Sequence, residues 1–309
     1  MNNKSNTIKT IILSLIVMLL WGSLFPCIKI GYDAFCIDGT DVASILMFAG
    51  TRFTCCGLVI SLVAFIKKDK IAAPKAKAIM HILFIGLFSI ILHYSFTYIG
   101  LGSTSSSKAA LIKQLGSLLY ICFAFLFFKN ETFSLWKVVG AVVGFLGIIA
   151  INFDMDGIRF SSGDILIVLA SVCLVVSNIL SKKIAASNSP FWITGISQFA
   201  GGIILMILAV ILGADFLMFT WESFGVFAYI CIASTVAYVL WNYILRTSEL
   251  SYMFIIKFAE PLFACIFGAI LLNENILKWE YLLAFILIFA GIALGNKQVR
   301  VKKNESENI

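Results

Sequence analysis

Four ionisable side chains stand inside long apolar runs: Arg52, Lys113, Lys257 and Glu260. A charge at bilayer depth costs about 3 kcal/mol on insertion scales, so each is a functional candidate by default. Lys113 and Lys257 each lie about eight residues inside their run, or ~12 Å at 1.5 Å per residue, in a hydrocarbon core ~30 Å thick. Both ammonium groups are therefore expected near the midplane, facing one cavity from opposite sides. An anionic group, carboxylate or phosphate, would suit that cavity. Glu260 follows Lys257 by three residues and shares its helical face. That spacing fits either a self-neutralising ion pair or a site for a substrate ammonium or a proton. Lys113 has no acid three or four residues away, which leaves it unpaired within its own helix and makes it the better substrate-site candidate, accompanied by Gln114 and Ser117.

Further polar stripes point to the same kind of chemistry. Tyr238, Trp241 and Asn242 fall at helical spacing, Ser171 and Asn178 are seven apart on one face, and His93 pairs with Thr97. Aromatic walls with a few polar groups suit an orienting pocket. Packing between helices by small hydrogen-bonding residues is the competing explanation for any one of them.

The elements that must position these groups follow from composition. Of 309 residues, 61% are hydrophobic and 13% charged, against about 25% charged in a soluble domain. With a mean hydropathy of +1.02, soluble enzymes and disordered regulators are excluded, and a polytopic helical membrane protein is expected. Apolar runs between charged or turn-forming breaks give ten transmembrane helices. The first five lie near Ile8 to Ile30, Val42 to Ile66, Ala78 to Ile99, Ala109 to Phe128 and Ser134 to Ile151. The second five lie near Asp164 to Leu180, Phe191 to Leu212, Phe224 to Leu245, Leu250 to Leu272 and Trp279 to Leu294. The first run shows no small-residue cleavage site and reads as an uncleaved span. With the N-terminus inside, 16 of the 23 Lys and Arg residues fall on the cytoplasmic side and only Lys108, Arg159 and Lys278 on the other. The positive-inside rule then puts both termini in the cytoplasm, with the plasma membrane as the expected location. The net charge of +7 reflects this asymmetry and not nucleic-acid binding. The basic segment Lys67 to Lys77 has no interleaved aromatics and reads as a topology determinant facing anionic lipid.

The chain also repeats. A shift of 143 places Glu131 on Glu274 and Trp136 on Trp279, and a shift of 144 aligns the segment from Tyr94 with that from Tyr238. Two five-helix units, 1–152 and 153–309, are expected. Five is odd, so the second must insert upside down, an architecture of secondary transporters that alternate access.

The ten spans, the five-plus-five duplication, Trp21-Gly22-Ser23 with Pro26, Arg52-Phe53, and the acidic helix ends Glu131 and Glu274 together resemble the drug/metabolite transporter superfamily, EamA type. The resemblance implies a carrier of small organic metabolites whose cavity is lined by helices 1, 3, 4, 6, 8 and 9, which brings Trp21 into the substrate-binding set. It also implies a proline hinge in the fourth helix of each half. The second half has Glu260-Pro261, but the first has Ser117-Leu118, so one hinge is absent or moved, and Pro26 and Pro261 are the hinge candidates. Because helix 2 lies outside the implied lining, Arg52 is expected to be structural.

The leading functional expectation is a secondary transporter for a small organic metabolite, with amino acids or related carboxylates favoured. The alternative is an integral-membrane enzyme acting on a lipid-linked substrate. That would need clustered acids or histidines, yet the histidines are His81 and His93, and no HExxH or acidic metal motif occurs. A non-transporting receptor or scaffold is disfavoured by the midplane charges. No Walker-type loop is present, and no cofactor or metal is expected. The eight cysteines have no two-residue spacing and read as packing residues without partner cysteines. Gly140 and Gly144, then Gly291 and Gly295, permit close helix contact, either within the protomer or as a homodimer through helices 5 and 10.

Overall fold

In hydrocarbon every backbone N–H and C=O must be satisfied within its own segment, so an apolar run this long has little choice but to be helical. The computed structural model describes residues 2–66, 76–127, 135–151, 153–154, 157–158, 160–185, 188–247 and 259–295. The helices are α1 (Asn2–Ala34), α2 (Val42–Ile66), α3 (Ala76–Ser103), α4 (Ser106–Lys113), α5 (Leu115–Phe127) and α6 (Leu135–Ile151). They continue with α7 (Ser162–Ala185), α8 (Pro190–Ile211), α9 (Trp221–Thr247), α10 (Ala259–Leu272) and α11 (Trp279–Gly295). Between α6 and α7 a two-residue antiparallel ladder pairs Phe153 with Ile158, a feature the apolar pattern did not foreshadow. Among the described residues six helices are long and apolar enough to cross a membrane, and Val138–Ile151, Ala259–Leu272 and Trp279–Gly291 are shorter apolar helices. The protein is a helical polytopic membrane protein. Its outer surface agrees, with Leu62, Phe65, Leu126, Leu146, Ile207 and Leu282 all exposed, as side chains facing lipid should be.

Helix ends carry recognisable chemistry. Asp41 accepts the Ser44 N–H at 3.2 Å as the N-cap of α2, and Pro190 begins α8 where no N–H is needed. Gly213, at φ 92°, closes α8 with Ala214 N–H donating to Ala209 O at 2.9 Å, a stop that only a residue tolerant of left-handed backbone provides cheaply. Asn273, at φ 52°, ends α10 in the same way and turns the following Glu274 back toward the bundle.

Two departures from regular helix occur near the candidate residues. In α3, Leu87–Leu92 widens into a π-helical turn immediately before His93. The fourth expected span is divided at Gln114, where the Gln114 N–H bonds Leu111 O and the Ser117 N–H bonds Gln114 O, both at 3.0 Å. The break falls three residues before Ser117 and involves no proline. In α10, Pro261 occupies the first described turn, while Pro26 lies inside the unbroken α1.

Helices pair as α1 with α9 and α10, α2 with α8 and α9, α3 with α7 and α8, α4 with α10 and α7, α5 with α7, and α6 with α11. Small residues set the closest approaches. A Cβ on Gly202 would come within 2.4 Å of Thr54 N, and one on Gly57 within 2.2 Å of Phe199 N. Gly291 faces Gly140 O in the same fashion at 2.4 Å, with Gly144 beside it, so these glycines of α6 and α11 meet each other within the chain. Gly225 of α9 has nothing within 4 Å of such a Cβ. Gly202→Ala should therefore lower the melting temperature of the purified protein by forcing α2 and α8 apart. Gly225→Ala should leave it unchanged or raise it, since alanine is favoured over glycine in a helix by about 1 kcal/mol. Equal melting temperatures for the two variants would show that α2 and α8 do not depend on this contact.

Candidate functional site

Lys113 closes α4, and its Nζ lies 3.5 Å from Oε1 of Glu260 in α10. Glu260 is 3% exposed. The Lys113 ammonium also stands 5.1 Å from the Phe25 ring centroid of α1, a cation–π contact. Lys113 thus has a counter-charge, contrary to the expectation from its own helix, where no acid falls at three or four residues. The partner comes from a helix 147 positions away, beyond the reach of any local spacing rule. Lys257, the other expected partner of Glu260, lies outside the described residues. Gln114 is buried at the break, and the Lys113 carbonyl at that break accepts the Ser171 hydroxyl at 3.4 Å.

An aromatic wall stands next to this pair. Trp21 packs against Tyr238 at 5.6 Å and Trp241 at 5.3 Å between ring centroids. The Tyr238 and Tyr94 hydroxyls share a hydrogen bond of 2.8 Å. Gly22 makes the adjacency possible, because a Cβ there would lie 2.7 Å from the Glu260 carbonyl oxygen. His93 is buried, donating from Nδ1 to the Ala170 carbonyl at 2.8 Å, so it ties α3 to α7. Asn178 is exposed although Ser171, two turns earlier, is fully buried; equal spacing does not give the two residues equal surroundings. Asn242 belongs to α9, and its side chain lies outside the described residues. Tyr94 and Phe25 were not singled out in the sequence, where each is one more aromatic in an apolar run.

Arg52 is 1% exposed and donates to Tyr98 Oη and Ser234 Oγ. Its guanidinium lies 4.8 Å from the Phe53 ring centroid. Among the described residues no carboxylate comes within 4.0 Å of it, and its Nε has no partner. Hydroxyls and ring faces of α2, α3 and α9 solvate the charge, in keeping with a structural role. Separately, a cleft of about 360 Å³ opens between α1, α9 and α10, apolar except for the Ser23–Tyr229 hydroxyl pair at 2.7 Å.

The end of the bundle where α3 turns into α4 is fastened by two carboxylates, one from α7 and one from the turn after α10. Asp164 of α7 receives Lys108 Nζ at 2.7 Å and Thr104 Oγ1 at 2.6 Å. Glu274 receives the N–H groups of Ser106 at 2.7 Å and Ser107 at 3.0 Å, and both hydroxyls. The third N–H of α4, Lys108, is taken by the Ser105 side chain, so three of the four free donors that begin a helix are satisfied here. Burial alone would push the Glu274 carboxyl up, but the Ser107 and Ser106 donors outweigh it and hold the group below the ordinary carboxylate range. Glu131, which a shift of 143 places on Glu274, lies outside the described residues. Among the described residues no group of three or more His, Cys, Asp or Glu could hold a metal ion.

A chain of paired charges and aromatics held among membrane helices defines the class. Within it, the pattern of the EamA-like transporter family matches residues 8–153 and again 161–296. The chain belongs to the EamA-like transporter family, and with it to the drug/metabolite transporter superfamily. It is 25% identical to an uncharacterized transporter of Archaeoglobus fulgidus, over 93% of this chain and 96% of that one. It is 23% identical to the uncharacterized inner membrane transporter YedA of Escherichia coli K12, over 89% and 86%, and 23% identical to the uncharacterized transporter YvbV of Bacillus subtilis, over 96% and 94%. A solved crystal structure with 17% identity superimposes with a TM-score of 0.66, covering 94% of this chain and 98% of the other. Membership in a transporter family sets aside the membrane-enzyme alternative.

Because the Glu274 pKa is depressed in the folded state, its stabilising contribution is present above the ordinary value of 4.5 and lost as pH falls through the lower folded value. Glu274→Ala should cost about 1–3 kcal/mol for each buried donor left unpaired, read as a lower melting temperature at pH 7. The gap between parent and variant should close as the pH drops below 4.5. A gap that does not narrow in acid would mean that the carboxylate charge is not what holds this end together.

Proposed function

We propose that the chain is a secondary transporter that moves a small organic metabolite, with an amino acid or related carboxylate favoured, by alternating access of two inverted five-helix halves. On this reading the halves are 1–152 and 153–309, and the fourth helix of the first half comprises α4 and α5. Exchanging the halves turns the α1–α9 contact into α7–α3, α1–α10 into α7 with α4 and α5, and α2–α9 into α8–α3, and it maps α2–α8, α4–α10 and α6–α11 onto themselves. Every one of these partner contacts is present, which supports the inverted repeat, as does the separate family match in each half.

The Lys113–Glu260 pair carries the functional reading. An ion pair in a low-dielectric site holds both charges only while each neutralises the other. A zwitterion brings both charges itself. Its carboxylate replaces Glu260 at the Lys113 ammonium and its ammonium replaces Lys113 at the Glu260 carboxylate, while Trp21, Tyr238 and Trp241 supply contact area for the side chain. Gln114, at the break, and His93, Asn178, Asn242 and Lys257 complete the proposed binding set, and Pro26 and Pro261 are its proposed hinges. Substrate that splits the pair also unlinks α4 from α10, which couples binding to movement of one half against the other.

The fastened end, with Asp164 and Glu274, is the end that holds Asp33, Asp38 and Asp41; by the charge asymmetry it faces outward, with both termini in the cytoplasm and the chain in the plasma membrane. A homodimer through helices 5 and 10 would use exposed side chains such as Val142 and Leu282, since the glycine faces are occupied.

Thermal melting of the purified protein across a metabolite panel tests the reading, because a ligand of the folded state raises stability by RT ln(1 + [L]/Kd). Zwitterionic amino acids or carboxylates should stabilise the parent, and Lys113→Met should abolish the shift while keeping a cooperative melt. Stabilisation by uncharged or purely cationic compounds, equal in parent and variant, would refute the anion site.

A further inference from the structure

Cys56 of α2 and Cys231 of α9 are 175 positions apart, and nothing in their local spacing links them. In the fold, Cys56 Sγ lies 3.6 Å from the Cys231 carbonyl oxygen, and the two thiols are within hydrogen-bonding reach of each other. This corrects the expectation that the membrane cysteines have no partner thiol. The Arg52 contact lies at the same place. α2 and α9 run parallel, with Phe48 against Phe227 nearer their starts, and Arg52–Ser234 and Cys56–Cys231 are two contacts at one crossing of the helices. Cys56 is 1% exposed, whereas Cys231 is only partly covered.

We propose that Cys56 and Cys231 are a redox-active dithiol that closes to a disulfide and ties α2 to α9. The arrangement has what such chemistry needs. Attack in thiol oxidation proceeds through a thiolate, and a thiolate formed at Cys56 lies one helical turn from Arg52, whose guanidinium reaches Ser234 on the same stretch of α9 as Cys231. The guanidinium is otherwise without a carboxylate among the described residues. Closure breaks two S–H bonds and forms one S–S bond. Each thiol gives up one proton and one electron, and the two protons and two electrons pass to a quinone dissolved in the bilayer, which becomes the quinol. Cys231, on the more open side of the pair, is the thiol a lipid-phase oxidant reaches first. Cys56 lies in the first family match and Cys231 in the second, so the bond fixes two segments that the carrier cycle would otherwise move against each other.

The test uses the full chain in its membrane. A short-chain quinone is added, the membranes are dissolved in detergent with N-ethylmaleimide to cap remaining thiols, and peptides are analysed without reductant. The expected result is two fewer free thiols per chain and a Cys56–Cys231 linked peptide that dithiothreitol releases. A second version, in which only Cys56 and Cys231 are kept and the other cysteines are serine, should lose both of its thiols without forming a dimer. Recovery of Cys56 and Cys231 both capped, linkage of Cys56 to another cysteine, or a quinone adduct in place of the bond would each overturn the proposal.

Discussion

A charge in hydrocarbon must find another charge, and the architecture of this chain is arranged so that it can. Lys113 and Glu260 lie on helices that are far apart in sequence, and neither has a described counter-charge other than the other. Breaking such a pair by removing one partner costs about 3–5 kcal/mol, which is a large part of the stability of most folded proteins. The helices that carry the pair are held to match. Gly22 lets α1 lie against the Glu260 backbone, which brings the Trp21 wall beside the carboxylate. At Gln114 the helix tightens, with the Ser117 N–H bonding Gln114 O, immediately after the residue that carries the ammonium.

The same constraint explains the ends. Glu274 reaches α4 because Asn273 adopts a left-handed turn, and the serines it binds are the donors that α4 cannot satisfy internally. Asp164 performs the equivalent service for Lys108. Both carboxylates belong to the second family match and both grip the first, so this end ties the two matched stretches together. Arg52 is the exception, a buried cation solvated by hydroxyls and ring faces. Its isolation from any described carboxylate is what leaves its charge available to the adjacent thiols.

Much of the fold was legible in the sequence, because in lipid a long apolar run can satisfy its backbone only as a helix. Charge asymmetry and the recurrence of Glu131 and Trp136 as Glu274 and Trp279 needed no structure to be noticed. Helical spacing put Tyr238 and Trp241 on one face, but the packing of Trp21 against them joins distant helices and no spacing announced it. What could not be read were contacts set by the packing of distant helices. The partner of Lys113, the hydroxyls on Arg52 and the pairing of Cys56 with Cys231 all join residues between 46 and 182 positions apart. The division of the fourth helix was also hidden, because Gln114 is an ordinary helix former and that helix lacks the proline that would announce a hinge.

The interaction on which this account rests can be tested by reversing it. Lys113→Glu and Glu260→Lys should each lower the melting temperature sharply, because each leaves two like charges together inside the bundle. The double variant restores opposite charges at the same place and should recover most of the loss, with a coupling of about 0.5–3 kcal/mol as expected for residues in contact. Single variants that melt like the parent, or a double variant as unstable as the two losses added together, would contradict the claim that this pair joins α4 to α10.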